Sequence, residues 1–319
     1  MDITGTGHYN ARVSEPLTAP IRATTRFCAV FGHPIAHSAS PAMQNAGIAA
    51  LGLDWRYVAF DVHPERLREA IAGAQAMKFI GLNLTVPHKL LAMELVDELD
   101  DSAKTWGAVN TICFEAQDAS AAWRPLRDFS EATPERIRSR GFNTDADAIA
   151  RSVREDLSLE PAGAKILVLG AGGAGRTAAL KLASERVGEL HLVNRTSSKA
   201  EVIANEIRQR FPAVKVSTGY PERAVDLTLN ATSLGLKPTD PLPFDSRQFS
   251  LGRAGAVYDM VYRPAETPLL KAARAAGCRV ANGLGMLLYQ GTAALELWTS
   301  RNAPIEVMRE ALRRNVYGT

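Results

Sequence analysis

Short apolar runs alternate with helical periodicities through the first half of this chain. The runs at 26–31, 56–60, 79–85 and 109–114 read as strands, and the stretches near 41–51, 65–76 and 88–99 as helices. Such alternation predicts an α/β unit built on a largely parallel sheet. Residues 116–141 break the rhythm. They are polar, hold Pro125 and Pro134, and read as a long loop or insertion. Within them the basic patch 134–140 reads as one solvated helical face. Apolar runs resume at 165–169, 189–193, 214–217, 225–230 and 256–260, with a helix expected over 176–186. The last third reads as two helices, 285–300 and 304–315.

The junction after 169 has its own chemistry. The stretch Lys165-Ile-Leu-Val-Leu-Gly-Ala-Gly-Gly-Ala-Gly175 is a strand that breaks into a glycine loop and opens a helix. This is the context a dinucleotide-binding G-x-G-x-x-G requires. Gly170 suits the tight turn, Gly172 the close approach of a pyrophosphate, and Gly175 close packing of helix on sheet. Gly173 and Ala174 begin the helix, whose free N–H groups point at the anion. The following strand ends in Asn194-Arg195-Thr196, where an NAD-binding chain usually carries an acidic residue. An arginine and small polar groups suit a 2′-phosphate, with Lys199 one helical turn on. The expected cofactor is therefore NADP.

The expected organisation is α/β with two domains. An N-terminal arm covers 1–25, and an α/β substrate-binding domain covers 26–143. A Rossmann-type NADP-binding domain covers 144–282, and C-terminal helices at 283–319 return to the first domain. Ligands in such sheets bind beyond the carboxyl ends of the strands, which places a substrate in the cleft between domains.

Composition narrows the picture. The chain has 319 residues, 46% hydrophobic, with a formal net charge of +3. That charge is too near balance to signal a nucleic-acid or membrane surface. No run reaches the ~18 apolar residues of a membrane span, and the N-terminus lacks a signal-peptide pattern. Cys28, Cys113 and Cys278 are widely spaced and read as small buried hydrophobes in a reducing, cytoplasmic compartment. His33 and His37 are four apart. They lie in a proline-bracketed loop without an H-E-x-x-H pattern, so no metal is expected.

Polar motifs cluster where strands end. They are Gly32-His-Pro-Ile-Ala-His-Ser38-Ala-Ser40-Pro41, Gly81-Leu-Asn83-Leu-Thr85-Val-Pro-His-Lys89, Gly107-Ala-Val-Asn110-Thr111 and Asn143-Thr144-Asp145. Later come Asn230-Ala-Thr-Ser, Tyr258-Asp-Met-Val-Tyr262 and Gly285-Met-Leu-Leu-Tyr-Gln290. In order, spacing and residue type this set resembles the shikimate dehydrogenase family from about Phe27 to Gln290. The resemblance implies NADP-linked, reversible reduction of 3-dehydroshikimate to shikimate, in aromatic amino-acid biosynthesis.

Carried over by motif, Lys89 and Asp145 would be the catalytic pair. Reducing a ring ketone needs a hydride from the nicotinamide and a proton for the forming alkoxide. An ammonium beside a carboxylate can hold that oxygen and supply the proton. Ser38 and Ser40 would bind the substrate carboxylate; Ser40 before Pro41 is also a good helix N-cap. Asn83, Thr85, Asn110 and Gln290 would hydrogen-bond ring hydroxyls, with Tyr262 nearby. Thr232, Met260 and Gly283 would line the nicotinamide site. The partner expected is a small molecule, with neither nucleic acid nor membrane, on a monomer or homodimer.

Two features depart from the family pattern. The segment from Thr111 to Asn143 is longer than the usual link, and Phe142 precedes Asn143. A quinate-preferring or dual-specificity sibling, a non-catalytic NADP-binding regulator, and a folate- or tRNA-linked oxidoreductase are the rival readings. Retention of Lys89 and Asp145 argues against the regulator. The polyol motifs of the first domain argue against the last rival.

Overall fold

The computed structural model describes residues 20–129 and 134–318; most of the expected N-terminal arm lies outside the described residues. The chain builds two sheets in sequence. The first combines β1 (Arg26–Gly32), β2 (Trp55–Asp61), β3 (Gly81–Leu84), β4 (Glu98–Leu99), β5 (Thr111–Gln117), β6 (Trp123–Pro125) and β7 (Ile137–Phe142). Its order is β2-β1-β3-β5-β7-β4, with β6 pairing β5. The second combines β8 (Lys165–Leu169), β9 (Glu189–Val193), β10 (Lys215–Thr218), β11 (Val225–Asn230), β12 (Ala254–Asp259) and β13 (Arg279–Asn282) in the order β10-β9-β8-β11-β12-β13. All its pairings are parallel.

The first sheet is mixed, which corrects the expectation of a largely parallel one. Strand β5 runs antiparallel to β3, β6 and β7. For the β5–β6 and β5–β7 pairings the cause lies in the segment read as an insertion. Residues 116–141 contain β6 and most of β7, and a strand that returns without a crossover helix must pair antiparallel. The basic patch is strand, not helix. Ser139 and Gly141 are buried in β7 while Arg138 and Arg140 alternate to the other face, a period of two. Arg138 pairs with Glu98 and Glu115, and its guanidinium lies 4.4 Å from the Trp123 ring centroid.

Ten helices pack on these sheets among the described residues. In the first domain α1 (Ser40–Ala50) and α2 (Leu67–Ala76) follow the predicted periods. The expected helix over 88–99 is shorter: α3 (His88–Leu91) ends in a 3₁₀ turn before β4. The Asp97 carboxylate accepts from both the backbone N–H and the hydroxyl of Ser139 in β7, and this tertiary pairing overrides the local pattern. A short α4 (Asp101–Trp106) follows. Ser40 is not the N-cap expected of it; α1 begins at Ser40 itself, and Ala39 holds the cap position.

Helix α5 (Asp145–Leu157) joins the domains. It buries Ala146, Ile149, Val153 and Leu157, one stripe at helical spacing. With α6 (Gly173–Ser184) and α7 (Ser197–Arg210) it covers one face of the second sheet, and α8 (Pro268–Ala275) packs on the other. Helices α9 (Leu284–Thr299) and α10 (Ile305–Tyr317) return to the first domain. Their Leu295, Trp298, Met308 and Leu312 join its core. The Trp298 indole donates to the Ile112 carbonyl at 3.0 Å. All three cysteines are buried and free. No described helix is long and apolar enough to cross a membrane.

Candidate active site in the interdomain cleft

The carboxyl ends of both sheets face one cleft. Lys89 stands on the first turn of α3, and Asp145 is the first residue of α5. Lys89 Nζ lies 2.7 Å from Asp145 Oδ2, with the carboxylate 9% exposed and the ammonium 30%. The turn before α5 fixes that carboxylate. Asn143 Oδ1 accepts from the backbone N–H of Asp145 and of Ala146, capping the helix from outside. Asn110 Nδ2 then donates to Asp145 Oδ1 at 2.9 Å and to Thr144 Oγ1 at 2.9 Å. The two oxygens of Asp145 therefore have different partners, an amide and an ammonium.

A cavity of about 560 Å³ opens beside this pair. Ser38, Ser40, Asn83, Thr85, Tyr262 and Gln290 line it, as do Thr232, Met260 and Gly283 from the second domain. The structure thus gathers nearly all the expected substrate-side residues around one space. Asn110 is the exception. It does not line the cavity, and its side chain is spent behind Asp145 on Thr144 and on Asp145 itself. Burial pushes the Tyr262 phenol above its ordinary range, so it faces the cavity as a neutral hydroxyl.

A second cavity, about 520 Å³, shares Lys89 and Asp145 and runs to the glycine loop. Gly172, Gly173, Ala174 and Lys199 line it. Gly170 has φ +107°, a value side-chain-bearing residues rarely adopt. At Gly175 a β-carbon would collide with the Gly170 carbonyl, so the helix rests directly on the strand it follows. At Gly172 and Gly173 a β-carbon would meet nothing within 4 Å. Their bareness serves no packing in the chain; it leaves room for something to approach the unpaired N–H groups of α6. Gly172 caps that helix with no side chain.

The end of β9 completes the site. Asn194 Oδ1 accepts from the Ala171 N–H at 3.1 Å and ties strand end to glycine loop. Arg195 and Thr196 are exposed beyond it. No carboxylate pairs with Arg195 or Lys199 among the described residues. Two free cations beside a helix N-terminus, with no acid at the strand end, fit a 2′-phosphorylated dinucleotide. Thr232 is held in place by its hydroxyl donating to Asn230 Oδ1 at 2.7 Å, and Asn230 in turn bonds Asp259.

The sequence reading missed four supporting groups. Thr111, Thr144 and Asn143 sat inside quoted motifs without a role, and the signal was their place beside Asn110 and Asp145. Arg176 was read only as part of a helix. Its guanidinium grips Glu206 through two nitrogens and donates to the Trp106 carbonyl at 2.7 Å, bridging the domains. His88 is fully buried, and burial holds its pKa below the usual value. A further cavity, about 890 Å³, lies between β5, α5 and α9. None of the expected site residues lines it.

Fold and site together define a two-domain α/β protein of the dinucleotide-linked oxidoreductase class, with an ammonium–carboxylate pair beside a cavity that hydroxyl and amide side chains enter. Family models agree on this in three stretches. Residues 30–112 match the shikimate dehydrogenase substrate binding domain, 150–228 the shikimate/quinate 5-dehydrogenase model, and 283–313 the shikimate 5′-dehydrogenase C-terminal domain. The chain is 40% identical over 303 residues to a shikimate dehydrogenase (NADP(+)) of Methanopyrus kandleri, covering 93% of this chain and 98% of that one. It is 43% identical to one of Moorella thermoacetica, covering 92% and 94%. A shikimate dehydrogenase solved in complex with NADP+ superposes with a TM-score of 0.80 at 34% identity, covering 94% of this chain and 99% of the other. The chain belongs to the shikimate dehydrogenase family.

Proposed function

We propose that this protein catalyses the reversible, NADPH-dependent reduction of 3-dehydroshikimate to shikimate, a step toward the aromatic amino acids. The observation that carries this reading is the 2.7 Å Lys89–Asp145 pair between a cavity lined by hydroxyl and amide side chains and a glycine loop. The cofactor, when bound, supplies or removes the hydride. Gly170, Gly172, Gly173, Ala174 and Gly175 would hold its pyrophosphate. Asn194, Arg195, Thr196 and Lys199 would read the 2′-phosphate, and Thr232, Met260 and Gly283 would flank the nicotinamide. That assignment rests on the open glycines and unpaired cations described above.

The chain's own part is binding, orientation and proton movement. Ser38 and Ser40 hold the substrate carboxylate at one end of the cavity. Asn83, Thr85, Tyr262 and Gln290 bond the ring hydroxyls, which fixes the ring against rotation. Lys89 Nζ lies against the oxygen that changes between carbonyl and hydroxyl. In the reducing direction it stabilises the developing negative charge and gives that oxygen a proton. Asp145 holds the ammonium in place and accepts from the same hydroxyl. Asn110, placed behind Asp145, orients the carboxylate rather than touching substrate. The expected division at 143–144 and 282–283 puts Asp145 just inside the second unit, where α5 begins. Three buried, unpaired cysteines fit a cytoplasmic setting.

Initial rates with shikimate or quinate, each with NADP or NAD, test the reading. Clear dominance of shikimate with NADP supports it. Dominance of quinate or NAD would overturn the assignment of Ser40 or Arg195, and silence in all four combinations would overturn the activity.

A further inference from the structure

The polar interior behind the cavity forms a directed series of hydrogen bonds. Tyr57 on β2 donates its phenolic hydrogen to Asn83 Oδ1 at 2.8 Å. Asn83 Nδ2 donates to Thr111 Oγ1 at 3.0 Å, and Thr111 Oγ1 donates to Asn110 Oδ1 at 3.3 Å. Asn110 Nδ2 donates to Asp145 Oδ1 at 2.9 Å, and the other oxygen meets Lys89. Each donor points the same way, from the phenol toward the carboxylate. Tyr57, Asn83, Thr111 and Asn110 are all nearly or fully buried. Water does not compete for these groups, and each bond polarises the next.

The choices along this path are tightly constrained. Asn83 can offer Oδ1 to Tyr57 only with Nδ2 turned toward Thr111. Its other Nδ2 contact is the Asn110 carbonyl at 3.3 Å. Thr144 Oγ1 accepts from Asn110 Nδ2, and Asn110 Oδ1 takes the N–H of Thr144; the Thr111 and Thr144 hydroxyls each lie 3.3 Å from that oxygen and 3.3 Å from one another. Reversing either amide would place two donors or two acceptors face to face in a dry interior. Burial pushes the Tyr57 phenol well above its ordinary range, so it remains a donor at any working pH.

We infer that Tyr57 and Thr111, neither of which lines the cavity, are positioning residues that lock Asn83 and Asp145 in one mutual orientation. Asn83 faces the substrate ring and Asp145 holds Lys89, so Thr111 is the joint between the group that binds the ring and the pair that handles its proton. This inference rests on the Lys89–Asp145 reading above. It extends that reading to residues with no contact to substrate.

The test uses purified full-length Thr111→Val, Thr111→Ser and Tyr57→Phe, with Lys89→Ala as reference. Measured are kcat and KM for shikimate and NADP, and the primary isotope effect with shikimate deuterated at the oxidised carbon. Thr111→Val keeps the shape but removes the joint. Its kcat should fall about 10- to 100-fold, the scale of a small misplacement of reacting groups. The NADP KM should stay unchanged and the isotope effect should rise as chemistry becomes limiting. Thr111→Ser, which restores the hydroxyl, should recover most of the loss, and Tyr57→Phe should lose about 3- to 10-fold. A Thr111→Val enzyme within twofold of wild type overturns the inference. So does a Thr111→Ser enzyme as slow as Thr111→Val, since the loss would then be packing. If Thr111→Val does not fold, an undiminished kcat in folded Tyr57→Phe overturns it. Activity retained in Lys89→Ala removes the underlying reading instead, and that outcome is distinct from the others.

Discussion

The two ends of the cleft are built in opposite ways. At the reacting end, Asp145 is held by an amide, an ammonium and the cap of its own helix, all within a buried network. At the end proposed for the phosphate, Arg195 and Lys199 project from an exposed helix start with no ion-pair partner among the described residues. One end is assembled before any ligand arrives. The other presents charge that a ligand must organise. The contrast follows from what each end must do. Proton handling tolerates little misplacement, whereas recognition of a phosphate rests on charge and free N–H groups that reach into solvent.

The sharpest way to break this comparison is at the reacting end. Lys89→Ala should lower kcat by roughly 10²- to 10⁴-fold, the usual share of a general acid or base. NADPH affinity, read by fluorescence titration, should change little, because the phosphate end is untouched. Near-normal turnover would mean that the ion pair is structural. Arg195→Ala should act at the other end only. Loss of one charge-assisted bond should weaken NADP about 10- to 100-fold while NAD stays within a few-fold. Equal losses for both cofactors would show that Arg195 does not read the 2′-phosphate.

The same contrast explains what could be read from the sequence. The second domain was legible in five of its six strands, because most of them are short apolar runs and the glycine loop marks the first crossover; β13, the half-polar Arg-Val-Ala-Asn at the sheet edge, gave no such run. The first domain was legible in its motifs but not in its second half. Strand β4 is only two residues long, and β7 carries Arg138 and Arg140 where a helical face was expected. Those elements are specified by partners far away in sequence, Ser139 with Asp97 and Arg138 with Glu98 and Glu115. No local period announces them. The residues proposed for the site stand out as motifs, since most of them sit near strand ends. Their division of labour was not. Only the structure puts Asn110 behind Asp145 and makes Thr111 the link to Asn83.

His88 offers the finest probe of how rigid the reacting end is. It precedes Lys89 on α3, and its ring is buried. His33 and Asp61, 2.7 Å apart, are the titratable neighbours that act on it. Burial is the main cause of its lowered pKa; the Val62 backbone opposes it, the positive field of His33 adds to it, and Asp61 opposes. In the unfolded chain the imidazole titrates near its ordinary value, so the unfolded state binds the proton first as pH falls. Its contribution to stability is therefore complete above that value. It is lost as pH falls from there through the lower folded pKa. His88→Leu removes that titration and fills the site with an apolar group of similar size. Between pH 8 and pH 5 the variant's unfolding midpoint in urea should fall less than that of the wild type. At pH 8 the two should lie close together. Parallel pH curves for the two proteins would mean that His88 reaches water in the folded state, and that the anchor of α3 is looser than the packed interior around Asp145 implies.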